Sequence, residues 1–158
     1  MNKKQTCTFT GHSMFVSGSI FDALLKQIDH FALSTDEPVF LVGGMGEFDE
    51  MGARAVRMVK EKYRQKNICL CLVCPYMKNS LNRDKEYFER RYDEIIICDR
   101  ADPAYYKAAI KIRNRYMIDC SSLLIAYVQR DSGGAFETLK YAKKQEDITV
   151  INLAEKMD

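Results

Sequence analysis

The chain of 158 residues is 47% hydrophobic and 29% charged, with 24 basic and 22 acidic side chains for a net charge of +2. That balance excludes a disordered polar chain and suits one domain, residues 1–158, with a core of its own. No apolar run reaches the roughly 18 residues of a membrane span. Met1-Asn2-Lys3-Lys4-Gln5 is not followed by the apolar stretch of a signal peptide. A cytoplasmic protein with no membrane attachment is therefore expected.

Taken in chain order, Gln5–Thr10 reads as a short strand ending at Gly11. Ile20–Leu33 reads as a helix, with Ile20, Leu24, Ile28 and Phe31 on one stripe. Val39–Val42 is a continuous apolar strand stopped by Gly43-Gly44, a pattern suited to a strand covered on both faces. Phe48–Arg64 follows as a helix with Phe48, Met51, Ala55 and Val59 inward. Ile68–Cys74 is a third strand, closed by Pro75. Tyr76–Lys85 reads as a polar surface connection and Asn82–Arg91 as a short charged helix. Glu94–Cys98 is a fourth strand. Pro103 stands at the start of a helix whose stripe is Tyr105, Ala108, Ala109, Ile112 and Tyr116. Leu123–Val128, a helix from Gly133-Gly134 to about Gln145, and Ile148–Leu153 complete the order. Alternating strands and helices with short connections predict an α/β, Rossmann-like three-layer sandwich around a mostly parallel sheet.

In such sheets ligands sit beyond the C-terminal strand ends. Three glycine-bearing turns fall there: Thr10-Gly11-His12, Gly43-Gly44-Met45-Gly46 and Ser132-Gly133-Gly134. A glycine turn opening a helix directs free N–H groups and a partial positive charge at an anion. The chain holds neither a G-x-x-x-x-G-K-[ST] loop nor a well-placed G-x-G-x-x-G. Charge separates the turns. Glu47, Asp49 and Glu50 crowd the second, which suits sugar hydroxyls. The third meets no acid before Glu137, which suits phosphate. Arg113 is placed beside the buried stripe of its helix, within reach of a phosphate, or else paired with Asp99 or Asp102.

The chain resembles the SLOG superfamily, which joins the SMF/DprA proteins to the LOG nucleotide hydrolases, and within it the small bacterial YpsA-like family. The resemblance rests on Thr6–His12, on Gly43-Gly44-Met45-Gly46-Glu47-Phe48-Asp49, on Arg113-Asn114-Arg115-Tyr116-Met117-Ile118-Asp119, and on Gly133-Gly134-Ala135-Phe136-Glu137-Thr138 with Tyr141-Ala142. It implies a nucleotide or nucleotide-sugar ligand and a homodimer. Gly133, Gly134 and Thr138 would hold phosphate, assisted by Arg113, while Gly43, Gly44, Gly46 and Asp49 would hold the sugar side; Asn114 would also touch the ligand. Thr10, Gly11 and His12 would close the pocket. The chain departs from these families at Ser13, where YpsA-like proteins carry arginine. It departs from the LOG pattern at Ser132, Phe136 and Lys140, the last in the place of the catalytic glutamate. Binding is therefore the first expectation. The alternatives are LOG-like N-glycosidic hydrolysis of a nucleoside monophosphate, with Glu137, Asp49 and Arg113 as candidates, and DprA-like binding of single-stranded nucleic acid.

The remaining motifs are weaker. Cys71-x-x-Cys74 lies along a strand rather than at a helix N-terminus, so the six cysteines read as reduced core thiols. Two histidines make no histidine metal cluster. Arg54–Lys66 carries six cations and one acid, either a solvated helix face or a nucleic-acid patch.

Overall fold

The computed structural model describes residues 1–12, 18–98 and 106–156. After a 3-10 turn at Lys3–Gln5, the elements run β1 (Thr6–Gly11), α1 (Ile20–Leu33), β2 (Val39–Val42), α2 (Glu47–Lys62), β3 (Cys69–Cys74), α3 (Asn79–Arg83), α4 (Lys85–Arg91), β4 (Glu94–Ile97), α5 (Tyr106–Asp119), β5 (Leu123–Tyr127), α6 (Gly134–Lys143), β6 (Thr149–Asn152) and α7 (Leu153–Lys156). The six strands form one sheet in the order β4-β3-β2-β1-β5-β6, every neighbouring pair parallel. The expected Rossmann-like α/β architecture is thus present, with the sheet parallel throughout.

The apolar stripes explain the layers. Ile20, Leu24, Ile28 and Phe31 of α1 and Phe48, Met51, Ala55 and Val59 of α2 are buried as their spacing requires. They pack with Phe9, Phe40 and Leu70 on one face of the sheet, where Leu81 of α3 and Leu153 of α7 also lie. The other face carries α5 and α6 over two separate clusters. One joins Leu124, Ala126 and Val128 to Leu139 and Ala142; the other joins Leu41, Cys71 and Val73 to Met117. Between them runs the central strand, whose outward alternation on this face is Thr6, Thr8 and Thr10, all buried. The burial of Thr6 and Thr8 is tolerated because their hydroxyls find acceptors: Thr6 Oγ1 donates to Asn2 O (2.7 Å) and Thr8 Oγ1 to Leu41 O (3.0 Å).

Two local differences from the sequence reading stand out. The single charged helix is two, α3 and α4, joined at Asp84, whose backbone (φ −111°, ψ 38°) leaves helical geometry; part of the polar connection is therefore helical. The buried residues of α5 are Ala109, Arg113, Met117 and Ile118, whereas Ala108 is exposed. Arg113 therefore sits inside the stripe rather than beside it. Pro103, Tyr105, Asp99 and Asp102 lie outside the described residues, as does Ser13.

The far side of β5 ends on a side-chain device. Asn152 accepts the Val128 N–H at Oδ1 (3.1 Å) and donates Nδ2 to Val128 O (3.0 Å), while Oδ1 also takes the Ala154 N–H (3.2 Å). One amide side chain thereby continues the β5–β6 ladder past Asn152 and opens α7.

Candidate ligand cleft

Chain order reverses in the sheet between β1 and β5, so a crevice opens beyond the C-terminal ends of those two strands. It holds a cleft of about 310 Å3. Gly11 and His12 approach from β1, Met45 and Asp49 from the β2–α2 turn, Arg113 and Asn114 from α5, and Arg130 with Gly133 and Gly134 from the β5–α6 loop. Four segments far apart in sequence, each singled out by its glycines or its arginines, meet here.

Gly11 has a packing reason to be glycine. A Cβ there would fall 2.4 Å from the Phe48 ring, and Phe48, fully buried, stacks on Tyr127 (ring centroids 6.0 Å apart). The start of α2 is thereby pressed against the ends of β1 and β5. His12 continues from Gly11 with its own N–H on Tyr127 O (3.3 Å) and its ring edge-on to Tyr127. Its Nε2 accepts the Gln129 N–H (2.8 Å). Burial, and then the Arg130 guanidinium, hold His12 below the usual imidazole value. A neutral ring accepting at Nε2 carries its proton at Nδ1.

The β2–α2 turn is held from within. Arg113, 3% exposed, donates Nη1 to Gly43 O and Val73 O (2.9 Å each), which ties the ends of β2 and β3 together. Its Nε donates to Asn114 Oδ1 (2.9 Å) and its Nη2 contacts Met45 Sδ (3.4 Å). Asp49 folds back so that Oδ2 accepts the Gly43 N–H (3.0 Å). Burial pushes the Asp49 carboxyl up to about 6, against the pull of Arg113 and of the Gly43 and Met45 N–H groups. Gly43 is required because a Cβ would meet Arg113 Nη1 at 2.7 Å and Asp49 Oδ2 at 3.0 Å. Of this turn, Met45 and Asp49 line the cleft; Gly43, Gly44 and Gly46 do not.

Gly133 opens α6 at φ 97°, ψ 174°, a conformation that is essentially glycine-only, and no side chain caps the helix. Open space surrounds both Gly133 and Gly134. Among the cleft residues, Arg130 was not picked out from the sequence. It stands in the loop between β5 and the glycine turn, exposed, and lines the cleft. A cation between a parallel strand and a glycine-opened helix is the signal that would have found it.

Glu137 and Thr138 stand elsewhere. They line an adjoining hollow of about 160 Å3 that shares Ile110, Asn114 and Gly134 with the main cleft. Thr138 Oγ1 donates to Gly134 O (2.9 Å) and so braces the first turn of α6. The rest of the Arg113–Asp119 segment joins α5 to α6: Arg115 lies over the Tyr141 ring (4.9 Å), and Tyr141 OH donates to Asp119 (2.6 Å).

The cations of α2, and Arg64 just beyond its end, make contacts within the chain. Arg54 lies over the Phe21 ring (4.7 Å), and Arg57 donates Nε to Arg91 O (3.2 Å). Lys60 pairs with Asp93, Lys62 with Asp29 (3.2 Å) and Arg64 with Glu61 (2.6 Å). Cys71 and Cys74 lie in clusters on opposite faces of the sheet, so they make no dithiol pair. Burial pushes the Cys71 thiol up to about 12, which keeps it un-ionised and inert. Among the described residues no cluster could hold a metal ion, and no helix is long and apolar enough to cross a membrane.

No family model matches the chain, and no curated protein matches it in sequence. Solved structures do match in fold. DNA processing protein A from Helicobacter pylori, described for its unique single-stranded DNA binding mode, is similar at TM-score 0.65 and 16% identity. DprA from Streptococcus pneumoniae is similar at TM-score 0.60 and 15% identity. A structural-genomics target, TM1055, is similar at TM-score 0.59 and 10% identity, over 97% of this chain and 79% of its own. Both DprA matches cover 94% of this chain, but it spans only 65% and 49% of their lengths. At these identities the likeness is one of fold.

Proposed function

We propose that this chain binds a nucleotide or nucleotide-derived ligand through its phosphate at the opening of α6. The observation that carries this reading is the convergence on one cleft of the uncapped Gly133 turn, the Arg130 guanidinium and the neutral His12. The helix offers N–H donors and a partial positive charge to an anion. Arg130 adds a charge-assisted contact, and His12 donates from Nδ1. Asp49 faces the sugar side, and Arg113 with Asn114 keeps that wall in place. Calorimetric titration with nucleoside monophosphates tests the reading. Micromolar to millimolar binding that Arg130→Ala weakens about tenfold is expected. No binding at millimolar ligand sinks it.

A second reading, single-stranded nucleic acid, is favoured by the fold likeness to the H. pylori protein. Lys60 and Lys62 of α2 are already paired with acids and Arg54 lies over the Phe21 ring, so a strand would track its phosphates through the same cleft, past Arg130. Anisotropy titration of a labelled oligonucleotide decides between the two, since a strand gives a steep loss of affinity with salt. The hydrolase alternative places Asp49 in the cleft and Glu137 in the adjoining hollow. Chromatographic release of free base from a nucleoside monophosphate would support it. A homodimer, expected from the family resemblance, is tested by light scattering.

A further inference from the structure

The geometry points to the hollow beside the cleft as a base pocket that selects guanine, with Glu137 and Asn114 as the selecting residues. The inference rests on the phosphate reading above and extends it to the other end of the ligand. The hollow adjoins the cleft through Ile110, Asn114 and Gly134, so a ligand whose phosphate lies at Gly133 can extend a ring into it. Its 160 Å3 is the scale of space that takes one six-membered ring, since a cavity of about 150 Å3 holds a benzene; the six-membered ring of a purine would enter it, with the five-membered ring toward the shared wall of Ile110, Asn114 and Gly134.

The polar lining sets which ring. Asn114 is not free to flip, because Oδ1 is taken by Arg113 Nε–H (2.9 Å). Its NH2 is the group left to donate. Lys111 and Arg115 add donors on the same wall, and Glu137 supplies two acceptor oxygens across from them on α6. Guanine matches that distribution. Its N1–H and N2–H are adjacent donors that one carboxylate accepts together. Its O6 and N7 accept from amide, lysine or arginine donors. Adenine offers one donor at this edge and lacks O6. Uracil offers one N–H, so half of the carboxylate goes unmatched. Ile110 supplies the apolar surface for the ring.

Titration calorimetry of GMP, IMP, AMP, UMP and ribose 5-phosphate tests this. GMP is expected to bind about tenfold or more tightly than AMP and UMP, with IMP, which lacks the N2 amine, between them. Glu137→Ala should bring GMP to the level of AMP and leave ribose 5-phosphate unchanged; Glu137 is exposed, so the fold tolerates the change. Asn114→Asp, which keeps the acceptor for Arg113 and removes the outward donor, should weaken GMP in the same way. Equal affinity for all four bases overturns the inference and leaves the phosphate reading standing. So does a Glu137→Ala variant that weakens ribose 5-phosphate as much as GMP. If ribose 5-phosphate and every nucleotide fail to bind, the phosphate reading falls and this one with it.

Discussion

Two helices of this sheet, α2 and α6, begin on glycines in almost the same conformation, Gly46 at φ 97°, ψ 165° and Gly133 at φ 97°, ψ 174°. Neither is capped by a side chain. Their surroundings are opposite. The α2 opening carries Glu47, Asp49 and Glu50, with Asp49 folded onto the Gly43 N–H and the buried Arg113 holding the Gly43 carbonyl. The α6 opening carries no such lock, stands in open space and shares the cleft with Arg130 of its own loop. One backbone geometry thus serves two ends: closed by its own acids it is a structural joint, and left open beside a cation it is an anion seat.

The largest effect that tests this contrast is on the joint. Arg113→Ala removes a buried guanidinium from two strand-end carbonyls and leaves Gly43 O and Val73 O without their partner. A loss of about 3–5 kcal/mol in urea unfolding is expected. A loss below about 1 kcal/mol would show that the turn is held by other means. Next comes pH. Asp49 has its folded pKa raised to about 6. Its favourable share of stability is therefore complete below the ordinary carboxylate value near 4 and is lost as pH rises through 6. Stability should fall by up to about 3 kcal/mol over that window. Asp49→Asn, which keeps an acceptor for Gly43, should flatten that fall, and an unchanged pH profile would remove Asp49 from the joint's electrostatics.

Smaller effects separate the two openings directly. Gly46→Ala and Gly133→Ala each force a residue with a Cβ to φ 97°, at a cost of about 1–3 kcal/mol in unfolding free energy. Only Gly133→Ala should also weaken nucleotide binding; equal losses of affinity would erase the distinction. Least in stability is Arg130→Ala. It should leave unfolding within about 0.5 kcal/mol while lowering nucleotide affinity about tenfold.

Much of the fold was legible because it is written in apolar spacing. Val39–Val42 and Ile20–Leu33 coincide with β2 and α1 in their bounds, since continuous and 3.6-periodic runs mean burial on two faces or on one. Arg113 shows the limit. Periodicity treats a charge as an edge residue, yet a guanidinium can lie in a buried stripe when strand-end carbonyls take its donors, and those carbonyls come from residues 40 and 70 positions away. The break between α3 and α4 escaped because it depends on the backbone at Asp84 and not on composition. Arg130 escaped because its one local mark, a cation between a strand and a glycine-opened helix, is slight; its meaning comes from standing across the crevice from His12. The glycine segments did meet at one sheet edge, but Gly43 and Gly44 are glycine for packing against Arg113 and Leu72. Sequence alone cannot tell a glycine that makes room for a ligand from one that makes room for its own protein.

The doubled hydrogen bond between Asn152 and Val128 sets where rigidity stops. A carboxamide imitating a peptide unit clamps the last residue before the Arg130 loop, so the loop leaves the sheet from a fixed anchor, with Gln129 tethered to His12 just beyond it. In hydrogen-exchange terms the Val128 amide should be as slow as those of the strand interior, with protection falling away after Gln129. Within the β5–α6 loop, the freedom to move is thereby left to the few residues between Arg130 and Gly133.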